Sequence, residues 1–151
     1  MALEGLFAKY DRLVLFDTET TGLGFSRDEI IEFAAVVVEQ KNGVPTVIEE
    51  YDELITLSPG GFVPANIVEL TGITNEDIRE RGIPKTRLCC DIARMIQGNT
   101  LLLAYNAHFD LSFLYYLLLR LCCRRNLIHS IVIHLRCSRI HQLYQMISQS
   151  M

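Results

Sequence analysis

Apolar and polar positions in the first half of the chain form short runs that are typical of β-strands. Strands are predicted at residues 12–16, 30–39 and 47–57. The pair Asn42-Gly43 lies between the second and third runs and favours a tight hairpin, so these two strands should be antiparallel. A later apolar run, Leu101–Ala104, predicts a short buried strand.

Between the third and fourth strands, the apolar spacing changes to the period of α-helices. Helices are predicted at residues 64–70, from residue 74 onward, at 86–97 and at 107–123. Asn75 is the expected N-cap of the second helix, and Gly98 should end the third. Beyond residue 123 the pattern is weaker, and it favours a strand at 127–135 and a helix at 140–147.

This order of elements predicts an α/β fold with a mixed sheet whose first three strands form a meander. The chain has 151 residues, half of them hydrophobic, which suits one folded domain rather than a disordered chain. We find no linker or internal repeat that would divide it.

Charge is distributed unevenly along the chain. The net charge is −4, so a broad basic face for nucleic acid is excluded, and any anionic polymer must bind at a local site. No Asp or Glu follows Asp110, and the last 41 residues also lack Gly, Pro and Lys. Their five arginines could form a phosphate-binding strip. We favour the alternative, in which they form a solvated or disordered basic tail.

The five cysteines include no CxxC pair, and the N-terminus has no secretory signal pattern. We therefore predict a reduced, cytoplasmic compartment. The longest apolar run, residues 111–119, is too short to span a bilayer, so no membrane partner is expected.

Two acids, Asp17 and Glu19, follow the first apolar run and point to the same side of a strand. Asp110 lies in the first turn of the helix after the fourth strand, where the helix dipole favours an anion. Three carboxylates meeting at one sheet edge would suit a hard cation such as Mg²⁺ or Mn²⁺. The alternative is a set of solvated acids at strand ends.

Three stretches in this order resemble the DEDD-type (DnaQ-like) 3′–5′ exonuclease family, and in particular the proofreading exonuclease of bacterial DNA polymerase III. They are FDTETTGL at 16–23, VPANIVELTGITNEDI at 63–78 and YNAHFDLSFL at 105–114. The resemblance implies a ribonuclease H-like mixed sheet with flanking helices. It also implies release of 5′-mononucleotides from a single-stranded or frayed DNA 3′ end, with a DNA polymerase subunit as a candidate partner.

Residue by residue, the resemblance implies that Asp17, Glu19 and Asp110 are catalytic and hold two Mg²⁺ or Mn²⁺ ions. Substrate contacts are implied for Thr18, Thr20, Leu23, Asn106 and Phe109. His108 is a further candidate for substrate contact, although a first-turn polar residue is more often only exposed.

The family also has a fourth acid, preceded by a histidine or tyrosine, on a later helix, and this chain has no acid there. His129 and His134 do not replace it, because too few residues separate them from Asp110, and a zinc site with His141 and Cys137 fits no standard spacing. We therefore interpret residues 1–120 as the N-terminal portion of an exonuclease domain and the fold as C-terminally incomplete. Residues 121–151 form an atypical tail that a shifted reading frame or early termination would produce.

Without the fourth acid, weak or absent activity is expected. Two alternatives stay open from the sequence: a non-catalytic remnant that binds 3′ ends or a polymerase partner, and an exonuclease that acts on RNA.

Overall fold

The protein is a mixed α/β structure of four strands and five helices over the residues described. This structure, a computed structural model, describes the backbone of residues 2–121 and the side chains of residues 5–121. In chain order the elements are α1 (Ala2–Phe7), β1 (Arg12–Thr20), β2 (Ile30–Lys41), β3 (Val44–Leu54), α2 (Ala65–Thr71), α3 (Asn75–Arg81), α4 (Lys85–Met95), β4 (Thr100–Ala104) and α5 (Ala107–Leu121).

The strands form one sheet in the order β3-β2-β1-β4. β1, β2 and β3 are successively antiparallel, which confirms the predicted meander, and β4 runs parallel to β1. Asn42 and Gly43 both have positive φ, of 53° and 80°, as a two-residue hairpin turn requires. β4 ends beside Phe16, so the chain that follows it emerges at the same sheet edge as Asp17.

Both faces of the sheet are packed. One face packs against α4 and α5 through a large cluster that includes Val14, Phe16, Phe33, Leu88 and Leu114. The opposite face holds a second cluster with Leu13, Leu15, Val38, Leu101 and Leu103. A third cluster joins β2 and β3 to the α2–α3 segment through Ile31, Leu54, Val63, Ile73 and Ile78. The core therefore fixes β1 from both sides.

Several strand boundaries differ from the sequence prediction because strand pairing decides them: for example, β2 runs to Lys41 rather than residue 39, and β3 begins at Val44 rather than residue 47. β1 does not end at residue 16; it continues to Thr20, since pairing with β2 runs through Glu19 opposite Glu32 before a bulge. β3 ends at Leu54 rather than at residue 57, because Ile55 instead forms an isolated parallel bridge with Ile83.

The N-cap of α3 also corrects the prediction. Thr74, not Asn75, is the cap: its hydroxyl accepts from Asp77 N, and the Asp77 carboxylate accepts from Thr74 N, which makes a capping box. The Asn75 side chain instead bonds both backbone groups of Val63, at 2.7 and 3.1 Å. It thereby fastens the loop that precedes α2 to the start of α3.

The predicted helices at 64–70, 86–97 and 107–123 correspond to α2, α4 and α5. The elements predicted at 127–135 and 140–147, and all of the predicted atypical tail 121–151 except Leu121, lie outside the described residues. Among the helices that the structure describes, none is long and apolar enough to cross a membrane.

Gly43→Ala should destabilise the fold through backbone strain alone. A Cβ at Gly43 would meet nothing within 4 Å, but its φ of +80° disfavours any L side chain, so we expect a loss of about 1 kcal/mol in the free energy of unfolding. Gly5→Ala is the matched control, because its Cβ would also enter open space but on helix α1, where alanine is the better helix former. Urea unfolding of both variants checks this; an equal effect of the two changes would contradict the turn geometry.

Candidate active site

Strand β1 separates the candidate site residues of the first motif onto its two faces. Asp17 is exposed and Glu19 is half-buried, whereas Thr18 and Thr20 between and beyond them are buried, each 7% exposed. This follows from the two-residue alternation of a strand. The two acids therefore do share one side, as predicted, and the threonines point to the side that α5 approaches.

Helix α5 brings the third acid to β1. The Asn106 carbonyl accepts from the backbone N–H groups of Phe109 (2.8 Å) and Asp110 (3.1 Å), so α5 begins directly after the β4 turn, with Asp110 in its first turn. The Asp110 side chain is 1% exposed. Thr18 Oγ1 donates a 2.6 Å hydrogen bond to Asp110 Oδ1, while Oδ2 is buried with no hydrogen-bond partner.

The electrostatics couple the three acids through Asp17. Burial raises the pKa of Asp110 to about 6; the hydrogen bond from Thr18 opposes this rise, and the charge of Asp17 adds to it. Burial also raises the pKa of Glu19, again with the charge of Asp17 contributing. The pKa of Asp17 itself is raised by burial. The structure thus brings Asp17, Glu19 and Asp110 into one electrostatic neighbourhood.

A fourth carboxylate, Glu32 of β2, belongs to the same neighbourhood and was not among the predicted site residues. It pairs with Glu19 across the β1–β2 ladder. Burial raises its pKa, and the charges of Asp52, Glu19 and Asp17 raise it further. The sequence did contain a signal, because a charged residue within the apolar run IIEFAAVVV is unusual. Only the strand register, however, places it opposite Glu19.

The residues predicted to contact substrate fall into two groups. The hydroxyls of Thr18 and Thr20 already bond within the protein, to Asp110 and to the Gly22 carbonyl at 2.7 Å. The other four lie nearer solvent: Leu23 is 83% exposed, Asn106 and His108 are exposed, and Phe109 is half-buried with its ring 4.9 Å from that of Phe113. These four side chains are available to a ligand. The two threonines instead contribute to the site through hydrogen bonds within the protein.

The donor set suits a hard divalent cation, because every candidate ligand is a carboxylate oxygen and Asp110 Oδ2 lacks a partner. Between residues 5 and 121, however, no group of three or more His, Cys, Asp or Glu side chains is close enough to hold a metal ion. The carboxylates are therefore neighbours that would have to converge to share a cation.

The sequence matches the RNase_T family, described as exonuclease, over residues 14–139. The chain belongs to this exonuclease family. The match confirms the predicted DEDD-type relationship, and it continues past the last described residue. Exonucleases of this kind generally use divalent metal ions, in agreement with the oxygen-rich donor set.

Relatives of this exonuclease domain include subunits of bacterial DNA polymerase III. It is 34% identical over 137 residues, 87% of this chain, to the DNA polymerase III subunit epsilon of Treponema pallidum. It is 38% identical over 101 residues, 67% of this chain, to the PolC-type DNA polymerase III of Streptococcus agalactiae. It is 37% identical over 106 residues, 70% of this chain, to the 3'-5' exonuclease DinG of Bacillus subtilis. The alignments span 58%, 6% and 10% of those proteins.

Solved structures confirm the predicted ribonuclease H-like fold. Exonuclease I of E. coli, in complex with a dT13 oligonucleotide, superposes with a TM-score of 0.64 and 23% identity, over 73% of this chain and 24% of that one. Exonuclease I from Methylocaldum szegediense gives a TM-score of 0.64 at 23% identity, over 72% of this chain and 23% of that one. The superposed region thus corresponds to about a quarter of each of these larger chains.

Asp110→Asn should stabilise the exonuclease domain at neutral pH. An unfolded aspartate ionises near 3.8 and folded Asp110 near 6, so folded stability falls as pH rises between these values and the loss is complete above them. The neutral amide avoids this loss and can still accept from Thr18. We expect a gain of about 3 kcal/mol at pH 7.5, shrinking to about 1 kcal/mol at pH 4.5.

Urea unfolding at both pH values measures this difference. Asp11→Asn, at an exposed position, controls for the substitution itself. A gain for Asp110→Asn that does not depend on pH would show that Asp110 is ionised at no extra cost in the folded state.

Proposed function

We propose that this domain is a DnaQ-type 3′–5′ exonuclease that removes 5′-mononucleotides from DNA 3′ ends with Mg²⁺ or Mn²⁺, and that its turnover is low. The observation that supports this best is the electrostatic coupling of Asp17 to both Glu19 and Asp110, together with the unpartnered Oδ2 of Asp110. These residues come from the stretches that resemble the first and second family motifs, and the pairing of Ala104 with Phe16 brings the start of α5 and Asp17 to the same edge of the sheet.

Asp17, Glu19 and Asp110 would hold the divalent ions. When bound, such ions supply activation of water and charge stabilisation at the leaving 3′ oxygen. The chain's own contribution is the placement of the carboxylates: Thr18 holds one oxygen of Asp110 by a 2.6 Å hydrogen bond and leaves the other for a cation. Either a bound cation or protonation of one acid relieves the mutual repulsion of the acids.

The 3′-terminal nucleotide would meet the exposed residues around this edge. Leu23 projects from the loop after β1, and Asn106 and His108 lie where β4 leads into α5. An apolar side chain suits the face of a base, and polar side chains suit sugar and phosphate oxygens. The net charge of −4 fits a substrate bound at its end rather than along a basic groove.

Low turnover is proposed for residues 1–151 as a protein on their own, because no Asp or Glu among residues 111–151 can serve as the fourth acid of the family pattern. The rival function is a non-catalytic remnant that binds 3′ ends or a polymerase subunit. It is favoured by the finding that, among the described residues, the acids do not form a ready metal-ligand group. The polymerase partner, the cytoplasmic location and the atypical tail from residue 121 stay predictions from the sequence.

Exonuclease activity is best measured on a 5′-labelled single strand with Mn²⁺, by following the ladder of shortened products. We expect slow release of mononucleotides, orders of magnitude slower than that of the Treponema pallidum epsilon subunit, because a site that acts as a unit has lost a member. Asp17→Asn should abolish the release, since Asp17 is the acid coupled to both others.

The controls distinguish the alternatives. Release that is as fast with Asp17→Asn as with the unaltered chain would assign the activity to a contaminant and overturn the proposal. Tight binding of the strand without any release would favour the remnant. Turnover equal to that of the epsilon subunit would refute the proposed impairment, and preferential shortening of a matched RNA strand would change the substrate to RNA.

A further inference from the structure

The loop that joins β1 to β2, residues 21–29, is folded upon itself. Its base is closed by Thr21 N donating to the Glu29 carbonyl and Glu29 N donating to Thr21 Oγ1, both at 2.9 Å. Inside it, Asp28 Oδ2 accepts from Gly24 N at 2.7 Å. A Cβ at Gly22 would lie 2.6 Å from the Asp28 carboxylate, so a larger residue there would displace that carboxylate. The tip of this loop carries the exposed Leu23.

The Glu29 carboxylate fastens the base of the loop to two other elements. It accepts from Ser58 Oγ at 2.8 Å and from Ser58 N at 3.2 Å, in the connection after β3. It also forms an ion pair with Lys85, the first residue of α4, and Lys85 Nζ donates to Ser58 Oγ at 2.8 Å. The side chains of Lys85 and Glu29 are only 18% and 17% exposed, so water screens this pair weakly.

Helix α5 holds the other side of the same loop. The ring of Phe25 packs against Tyr116, with centroids 5.0 Å apart, and Arg120 donates to the Ser26 carbonyl. Phe25, Glu29, Lys85, Tyr116 and Arg120 line one cavity of about 100 Å³ between the loop and these helices. The loop is therefore fastened at its base by α4 and at its middle by α5, while Leu23 is left pointing outward.

A comparison within α4 indicates what is special about Lys85. Arg94, near the other end of the helix, forms a two-bond ion pair with Glu49 of β3 at 2.6 and 2.7 Å, but its side chain is 50% exposed. Both pairs attach α4 to the rest of the protein. Only the Lys85 pair reaches the β1–β2 loop, and it is the more shielded of the two.

We infer that Glu29 and Lys85 are positioning residues for the exonuclease reaction: their shielded ion pair holds the β1–β2 loop so that Leu23 meets the terminal nucleotide. This inference rests on the proposed function. Neither residue touches substrate; both act through the loop. Removing a merely structural pair would lower only the overall stability. Removing a positioning pair would also change the order of the loop and the binding of a 3′ end.

Two measurements on the full chain test this inference. The first is the initial rate at which trypsin cuts after Arg27, whose side chain is 81% exposed on the loop, followed by mass spectrometry of the fragments. The second is the Kd for a single strand with a phosphorothioate at its 3′-terminal linkage, measured in Ca²⁺ to prevent turnover.

Lys85→Met should speed the cut and weaken binding, each roughly tenfold, because charge-assisted bonds are lost. Glu29→Gln should have the same direction and a smaller effect, since it keeps the Ser58 bonds.

Arg94→Met is the matched control and should change neither quantity, and Lys85→Arg should restore both. A Lys85→Met chain that is cut after Arg27 no faster than Arg94→Met would overturn the inference. Faster cutting with unchanged Kd would also overturn it, because the variant would then have lost the order of its loop without any effect on binding of the 3′ end. If the unaltered chain does not bind the strand at all, the proposed function fails, and with it the role in positioning substrate; the trypsin rates then decide only whether the ion pair orders the loop.

Discussion

The site depends on a single hydrogen bond, which Thr18 of β1 donates to Asp110 of α5. It joins two segments that are 92 residues apart in the chain, and it does so in a nearly dry setting, because Asp110 is 1% exposed. A buried carboxylate is stable only where something compensates for its lost hydration. Thr18 compensates for one oxygen, and the other has no partner in the protein. This edge of the sheet thus contains a buried carboxylate that is compensated at only one of its two oxygens.

The remaining acids extend this unfavourable burial of carboxylates across the sheet. Asp17, Glu19 and Glu32 lie on neighbouring positions of β1 and β2, and burial together with like charge raises the pKa of Glu19 and Glu32. Such an arrangement opposes folding, since each acid is harder to ionise than in water. Apolar clusters on both faces of the sheet hold β1 in place against this repulsion. The apolar core thus supplies the stability of the fold. The candidate functional groups are the carboxylates at the edge of the sheet, where the core ends.

The proposed substrate side of the candidate site is organised differently from the proposed metal side. The acids sit on a strand and a helix that the core fixes directly, whereas Leu23 sits on a loop whose position depends on Glu29, Ser58 and Lys85 at one point and on α5 at another. α5 takes part in both, because it carries Asp110 near its start and Tyr116 and Arg120 further along. A shift of this helix would therefore move the acid and the loop together. That shared attachment is a physical reason for the two motifs to act as one unit.

The sequence by itself determined the α/β class, the meander and the hairpin at Asn42-Gly43, because alternation and turn chemistry are local properties. It also predicted, from motif order, that Asp17, Glu19 and Asp110 share one site. Tertiary structure alone decided the rest. Strand pairing extended β1 to Thr20 and placed Glu32 opposite Glu19. Packing turned Thr18 toward Asp110, which is 92 residues away in the chain. Each of these features depends on a partner that is distant in the chain. Local patterns in a single sequence do not reveal which distant residues will meet.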